Sequence, residues 1–423
     1  MIQIHDSFPR YEEYDPKVPV WCVTPREGRI IHRFFDTSPF SPSGRYMALF
    51  RLPQEERLPE PGETGEIVLV DLASGEETVL AETRGWEPQM GANINWGADD
   101  TALFFNDVDP SDWSPFAVRL NPITGQRQRL EGCVYRVSPD GKKIASANMK
   151  AMRRTQNGYG VVVPDDRVPQ HFDLAEDDGL YVTDTETGEC ELLISIRECI
   201  EKAVPRSEFA DSEGIEVYGF HCKWNPQGTR LMFSLRAFPA DGTSRFNVMS
   251  EGTLRFDVYT LDNEASDVRL AIPASQWEKG GHHTNWFPDG HRLSMNLNID
   301  GDGMRFVETR YDGTDLKKMM EEPCGSGHPT IHPNGRHILT DDYVHGPAAF
   351  GDGTVPIRLV DRQTGEDTRL IRIRTETEHQ QEHSSLRVDP HPAWDATNNW
   401  IAFNAYTDGT RRVYVADLRD YVD

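Results

Sequence analysis

The hydrophobic positions of this chain fall in short runs broken by tight polar turns, and the arrangement returns seven times. An apolar stretch, a turn of Pro-Asp-Gly type and a second apolar stretch form SPFSPSGRYMALF from Ser38, INWGADDTALFF from Ile94 and YRVSPDGKKIAS from Tyr135. The pattern continues in CKWNPQGTRLMF from Cys222, TNWFPDGHRLSM from Thr284, PTIHPNGRHILT from Pro329 and PAWDATNNWIAF from Pro392. Turn residues set between alternating apolar residues predict hairpins. Further strand pairs follow, as in IVLVDLASGEETVL from Ile67, LYVTDTETGECELL from Leu180, IRLVDRQTGEDTRL from Ile357 and VYVADL from Val413. Repeated four-stranded units predict an all-β chain, a single seven-bladed β-propeller over residues 1–423. The blades are expected near 36–83, 92–132, 133–196, 218–272, 280–320, 325–373 and 386–420. The last unit is one strand short, so the N-terminal segment 18–35, around Val20 to Ile31, is expected to close the ring and remove a free edge. Helical periodicity is nearly absent, with one short candidate in SIRECIEKAV from Ser195.

Aligning the units on the turn sharpens the reading. Phe40, Trp96, Val137, Trp224, Trp286, Ile331 and Trp394 share one register position, where large apolar side chains wedge between blades. Three residues earlier the units read Thr37, Asn93, Val134, His221, His283, His328 and His391. Strand alternation turns this position away from the wedge and toward the central channel. Four consecutive blades therefore present a histidine at one level, although only 14 of 423 residues are histidine. A lone histidine reads as a structural residue; four in a ring point to a metal or acid–base site.

The neighbouring residues extend that site. Asp389 precedes His391 by two positions, so His328, Asp389 and His391 form an N/N/O set suited to Mn²⁺, Fe²⁺, Ni²⁺ or Zn²⁺. No cysteine joins them, which argues against a structural zinc centre. The loop RTETEHQQEH from Arg374 runs into this motif, and Gln381 or His383 is expected to add a donor. Arg33, Arg236, Arg255 and Arg305 are the cations expected near the same rim.

Charge narrows the partners. The chain carries 69 acidic against 44 basic residues, a net −25, and has no Lys/Arg cluster, so nucleic acid and anionic membranes are not expected partners. A small acidic substrate is still compatible, provided the pocket itself supplies cations. The first residues, MIQIHDSFPR, show no basic stretch leading into an apolar run, and no window is apolar enough to span a bilayer. Six scattered cysteines without a CxxC pair read as reduced thiols of a cytoplasmic protein, and a propeller with no coiled-coil segment is expected to be a monomer or weak dimer. GxSxG, GxGxxG and Walker A patterns are missing, so neither serine-hydrolase nor nucleotide chemistry is signalled.

With the histidines placed, the sequence resembles the oligogalacturonate lyase family across most of its length, most strongly in blades four to seven. The segment HTNWFPDG matches the family's general-base motif and implies His283 as the base. SGHPTIHPNG implies His328 as a metal ligand, and Asp389-Pro390-His391-Pro392 stands where the family has His-Pro-His-Pro. LRFDVYTLD implies Arg255 as the arginine on the substrate carboxylate, and His32-Arg33 matches the family's N-terminal His-Arg pair. His221, Arg236 and Arg305 complete the expected substrate contacts, while Leu386 replaces a glutamine ligand. The resemblance implies a Mn²⁺-type ion, a short uronate-containing oligosaccharide and cleavage by β-elimination. Two other classes share the repeat grammar or the sugar: a non-enzymatic TolB-like propeller that binds a ligand or protein, and another enzyme acting on a uronide.

Overall fold

The computed structural model describes residues 2–240 and 255–422. Its strands form seven four-stranded antiparallel sheets arranged as a propeller. The first strands of the blades are Ile30–Ile31, Asn95–Trp96, Arg136–Val137, Ile215–Trp224, Gly281–Trp286, Thr330–Ile331 and Ala393–Trp394. Six blades are built from consecutive strands. In the seventh, the outer strand is Val20–Cys22, which pairs with Tyr414, Val415 and Ala416. The N-terminal strand therefore closes the ring, as expected. Ile30–Ile31, grouped with it by sequence, pairs with Phe50 and Arg51 as the first strand of blade one.

The repeat motif explains the hairpins. Turn glycines such as Gly141 and Gly335 sit at φ 73° and 69°, a left-handed conformation that glycine adopts without strain. Blade seven has no glycine there and uses Asn398 at φ 58°, asparagine being among the residues that tolerate this region best. The wedge residues are buried, and their indoles tie blades together. Trp96 donates to the Pro39 carbonyl at 2.9 Å, Trp286 to the Lys223 carbonyl at 3.0 Å and Trp394 to Thr330 Oγ1 at 3.1 Å. The single helix anticipated from sequence is Ile196–Lys202, capped by Ser195 and Glu198 through reciprocal backbone bonds. All six cysteines are unpaired thiols. Among the described residues, no helix is long and apolar enough to cross a membrane.

Two features shape the channel. Phe34 and Phe35, each 1% exposed, fill its middle. The Phe34 ring lies 4.6–6.0 Å from the rings of His221, His283, His328 and His391. Cavities of about 540 Å³ and 520 Å³ open at opposite ends of the inner strands, one beside His221 and His283, the other beside Trp224 and Trp286. The connection between the second and third strands of blade three, residues 147–178, folds back over the histidine end and brings Gln156, Asn157 and Tyr159 to its wall.

Glu87 pins that connection. It is fully buried, accepts from Asn93 Nδ2 at 2.6 Å and takes the Gly160 backbone N–H on its other oxygen. Burial pushes its carboxyl up to about 7. A raised carboxyl pKa means the folded chain holds the proton more tightly than the unfolded one, so this contribution is complete at acid pH and lost as pH rises through 7. Between pH 5.5 and 8 the loss is about 2 kcal/mol. Thermal denaturation across that range is expected to show Glu87→Gln with a flatter pH dependence than the wild type.

Candidate metal centre and catalytic cavity

The histidines leave their strands at irregular points. Pairing in blade four shifts register between Gly219 and Cys222, around His221. In blade five it shifts between His282 and Asn285, around His283. His283 and His391 have φ of 61° and 51°, left-handed values unusual for residues with a Cβ, as does Asn93 at the matching position of blade two. Such conformations cost about 1–3 kcal/mol each and gather where a bulge re-aims a side chain toward a site. The ring of histidines foreseen from register is thus built by local distortion of the inner strands.

Three of its members adjoin. The ring centroids of His283 and His328 are 4.0 Å apart, and those of His328 and His391 are 4.3 Å apart. His328, Asp389 and His391 are all buried, and one donor atom from each lies within 4.8 Å of the others. Both ring nitrogens of His391 are buried without a hydrogen-bond partner, which ordinarily costs free energy. Burial, with His328 and His32 next, holds the His391 imidazole well below its usual pKa and keeps it neutral. Asp341 orients the set. Its carboxylate accepts from His328 Nδ1 at 2.9 and 3.0 Å, from the His328 backbone at 2.7 Å and from the His391 backbone at 3.0 Å. With Nδ1 engaged, Nε2 is the free donor of His328. Two imidazoles, one carboxylate and the orphaned ring nitrogens of His391 fit a divalent cation.

His283 stands beside this trio. Its Nδ1 is 2.8 Å from the Gly327 carbonyl and 2.8 Å from His282 Nδ1. A carbonyl oxygen can only accept, so Nδ1 carries the proton and donates to Gly327, which leaves Nε2 as the lone-pair nitrogen. Burial and the neighbouring histidines hold the ring well below its usual pKa, so it is neutral and able to accept a proton. The Tyr343 hydroxyl is 3.4 Å from His283 Nδ1, and burial, then Asp389 and Asp341, push its pKa far up. It retains its proton. Two cations line the cavity: Arg387, whose Nε donates to Asp389 at 2.8 Å, and Arg236. Arg236 Nη1 donates to Gln156 Oε1 at 2.8 Å, and burial lowers its pKa only to about 9, so it stays charged at neutral pH. Phe256 and Trp277 stack at 4.6 Å on the same wall.

Of the other residues singled out by sequence, His221 lines the cavity, its Nδ1 against the Tyr135 hydroxyl. Five are placed elsewhere. Arg255 is bound by Glu208 at 2.6 Å and Glu278 at 3.0 Å and does not line the cavity. Strand pairing explains why: Arg236 is opposite Phe256, so those two share a face, and Arg255 is one residue out of phase. Arg305 turns to Asp302 and the Met304 carbonyl. His383 accepts the Ser385 N–H and lines a separate cavity of about 270 Å³, away from the metal trio. His32 is 1% exposed, with Nε2 3.3 Å from the Pro390 carbonyl, and so braces the strand entry that carries His391. Arg33 lies in the channel interior, bonded to Asp36, Asn93 and the Tyr135 carbonyl. The residues that sequence missed are Asp341, Tyr343 and Arg387. The run Thr340-Asp341-Asp342-Tyr343 at the end of a second strand was the available signal.

No family model matches the chain. A curated relative, the "Uncharacterized peptidase YuxL" of Bacillus subtilis (strain 168), is 23% identical over 193 residues. That match covers 40% of this chain, and the chain spans only 28% of the relative. Among solved structures, an oligogalacturonate lyase in complex with manganese superposes with a TM-score of 0.61 at 15% identity, covering 99% of this chain and 98% of that one. The oligogalacturonate lyase of Vibrio parahaemolyticus gives 0.62 at 14% identity, covering 98% and 97%. The tricorn protease gives 0.51 at 13% identity, with 93% of this chain matched to 34% of the larger one. The chain therefore has the seven-bladed propeller fold of the oligogalacturonate lyases, shared with them from end to end.

Proposed function

We propose that this protein is a metal-dependent lyase that cleaves short uronate-containing oligosaccharides by β-elimination. One observation carries the reading: a buried His/Asp/His set with orphaned ring nitrogens adjoins a neutral histidine whose Nδ1 is committed to a backbone carbonyl. The same arrangement on a fold shared with an oligogalacturonate lyase in complex with manganese supports it.

β-Elimination removes the proton on C5 of the uronide, forms a C4–C5 double bond and expels O4. His328, Asp389 and His391 would hold a divalent ion, Mn²⁺ first among the candidates, whose positive charge lowers the acidity barrier next to a uronate carboxylate. Arg236 and Arg387 supply fixed positive charge in the same cavity for that carboxylate. His283 Nε2 takes the C5 proton, its neutral state set by burial. Tyr343 keeps its proton at neutral pH and would donate it to the departing O4. The stacked Phe256 and Trp277 offer an apolar face to a sugar ring, and the cavity of about 540 Å³ suits a short oligosaccharide.

Purified protein mixed with short oligogalacturonates and Mn²⁺ is expected to give a rise in ultraviolet absorbance from the unsaturated product, and chelator is expected to abolish it. Arg236→Ala should lower kcat/KM by about 10–100-fold, the worth of a lost bond to a charged group, whereas Arg255→Ala should leave it nearly unchanged. Silence with both galacturonate and glucuronate oligosaccharides, metal present, would overturn the lyase reading.

A further inference from the structure

The opposite end of the channel carries a charge imbalance that the histidine cavity does not use. Asp36, its side chain 2% exposed, is met by Lys223 Nζ at 2.8 Å, Arg33 Nη1 at 3.1 Å and Arg136 Nη1 at 4.0 Å. Three cations converge on one carboxylate in a protein of net charge −25. Glu87 is linked to Arg33 by hydrogen bonds through Asn93. Arg33 and Lys223 are enclosed, but the Arg136 side chain is 27% exposed and lines the cavity of about 520 Å³ together with Asp36. Asp395 on the same wall is already engaged, its oxygens accepting from Thr397, Asn399 and Trp400. Trp224, also on the wall, has a buried indole N–H without a partner, unlike Trp96, Trp286 and Trp394.

Buried or half-buried cations are retained when counter-charge completes them. The protein supplies one carboxylate for three, and the one cation of the three facing open space borders a cavity large enough for a small molecule. We infer that the tryptophan-lined mouth of the channel is a second binding site, for a small anion of carboxylate or phosphate type seated on Arg136. Phe34 and Phe35 stand between this site and the histidines, so the inference does not depend on the lyase reading.

The test uses the intrinsic fluorescence of the intact protein, since Trp224, Trp286 and Trp394 border the cavity. Inorganic phosphate and, separately, succinate are titrated at constant ionic strength against chloride. A saturable change with either anion, weakened about tenfold or more in Arg136→Gln and unaltered in His283→Asn, is the expected result. Asn285→Asp, which adds a negative charge to the cavity wall, should weaken binding in the same way and serves if Arg136→Gln does not fold. Responses that fail to saturate with both anions, or saturate equally in wild type and the folded cavity variants, would overturn the site.

Discussion

His283→Asn is expected to lower kcat for uronide elimination by about 10²–10⁴-fold, the usual worth of a positioned general base. Asparagine is the informative replacement because His283 has φ 61°, a conformation it tolerates better than alanine does. Its amide can also keep the bond to the Gly327 carbonyl that His283 Nδ1 makes at 2.8 Å. The variant therefore removes the Nε2 lone pair while preserving the local backbone. His283 is not in the His328–Asp389–His391 set, so manganese binding should persist, measured by titration on the same preparation. Initial rates of unsaturated-product formation supply the kinetic half. Turnover close to wild type would remove His283 as the base even if the protein is a lyase.

The propeller was legible because its information is local and repeated. Each turn glycine, each wedge residue and each strand alternation is readable within a dozen residues, and seven copies average out the exceptions. The histidine ring was legible for the same reason, as a register position shared between units. What escaped depends on packing between units. Asp341 stands ten residues after the wedge residue Ile331, where Asn106, Asn296 and Asn404 stand in their own blades, but only its contacts reveal that its carboxylate holds both His328 and His391. Phe34 and Phe35 read as part of the closing segment and Asp36 as the start of blade one, but with Arg33 they enter the channel and form its plug and its buried ion cluster. Arg255 was misplaced because a position at a strand's start does not say which face it takes. A one-residue difference in phase sends Arg236 to the cavity and Arg255 to Glu208 and Glu278. The resemblance implied His283, His328, Asp389 and His391, which stand in register and which the structure brings together. It also implied Arg255, which the local strand pairing keeps out of the cavity.

Asp341→Asn is expected to weaken manganese binding by about 10–100-fold, the range found when a group orienting a metal-bound histidine is lost. Asp341 is 0% exposed and receives three donors, the ring and backbone of His328 and the backbone of His391. Asparagine keeps one acceptor and presents an N–H₂ to the others, so the imidazole of His328 loses its fixed tautomer and the entry to His391 loses its anchor. His328→Ala, which deletes a donor outright, should reduce binding further. Titration calorimetry with Mn²⁺ on both variants, alongside circular dichroism to confirm the fold, measures the order. If Asp341→Asn binds manganese as tightly as wild type while His328→Ala does not, Asp341 is only a structural brace. If neither substitution changes the affinity, the ion is not held by His328, and the trio is not the metal site.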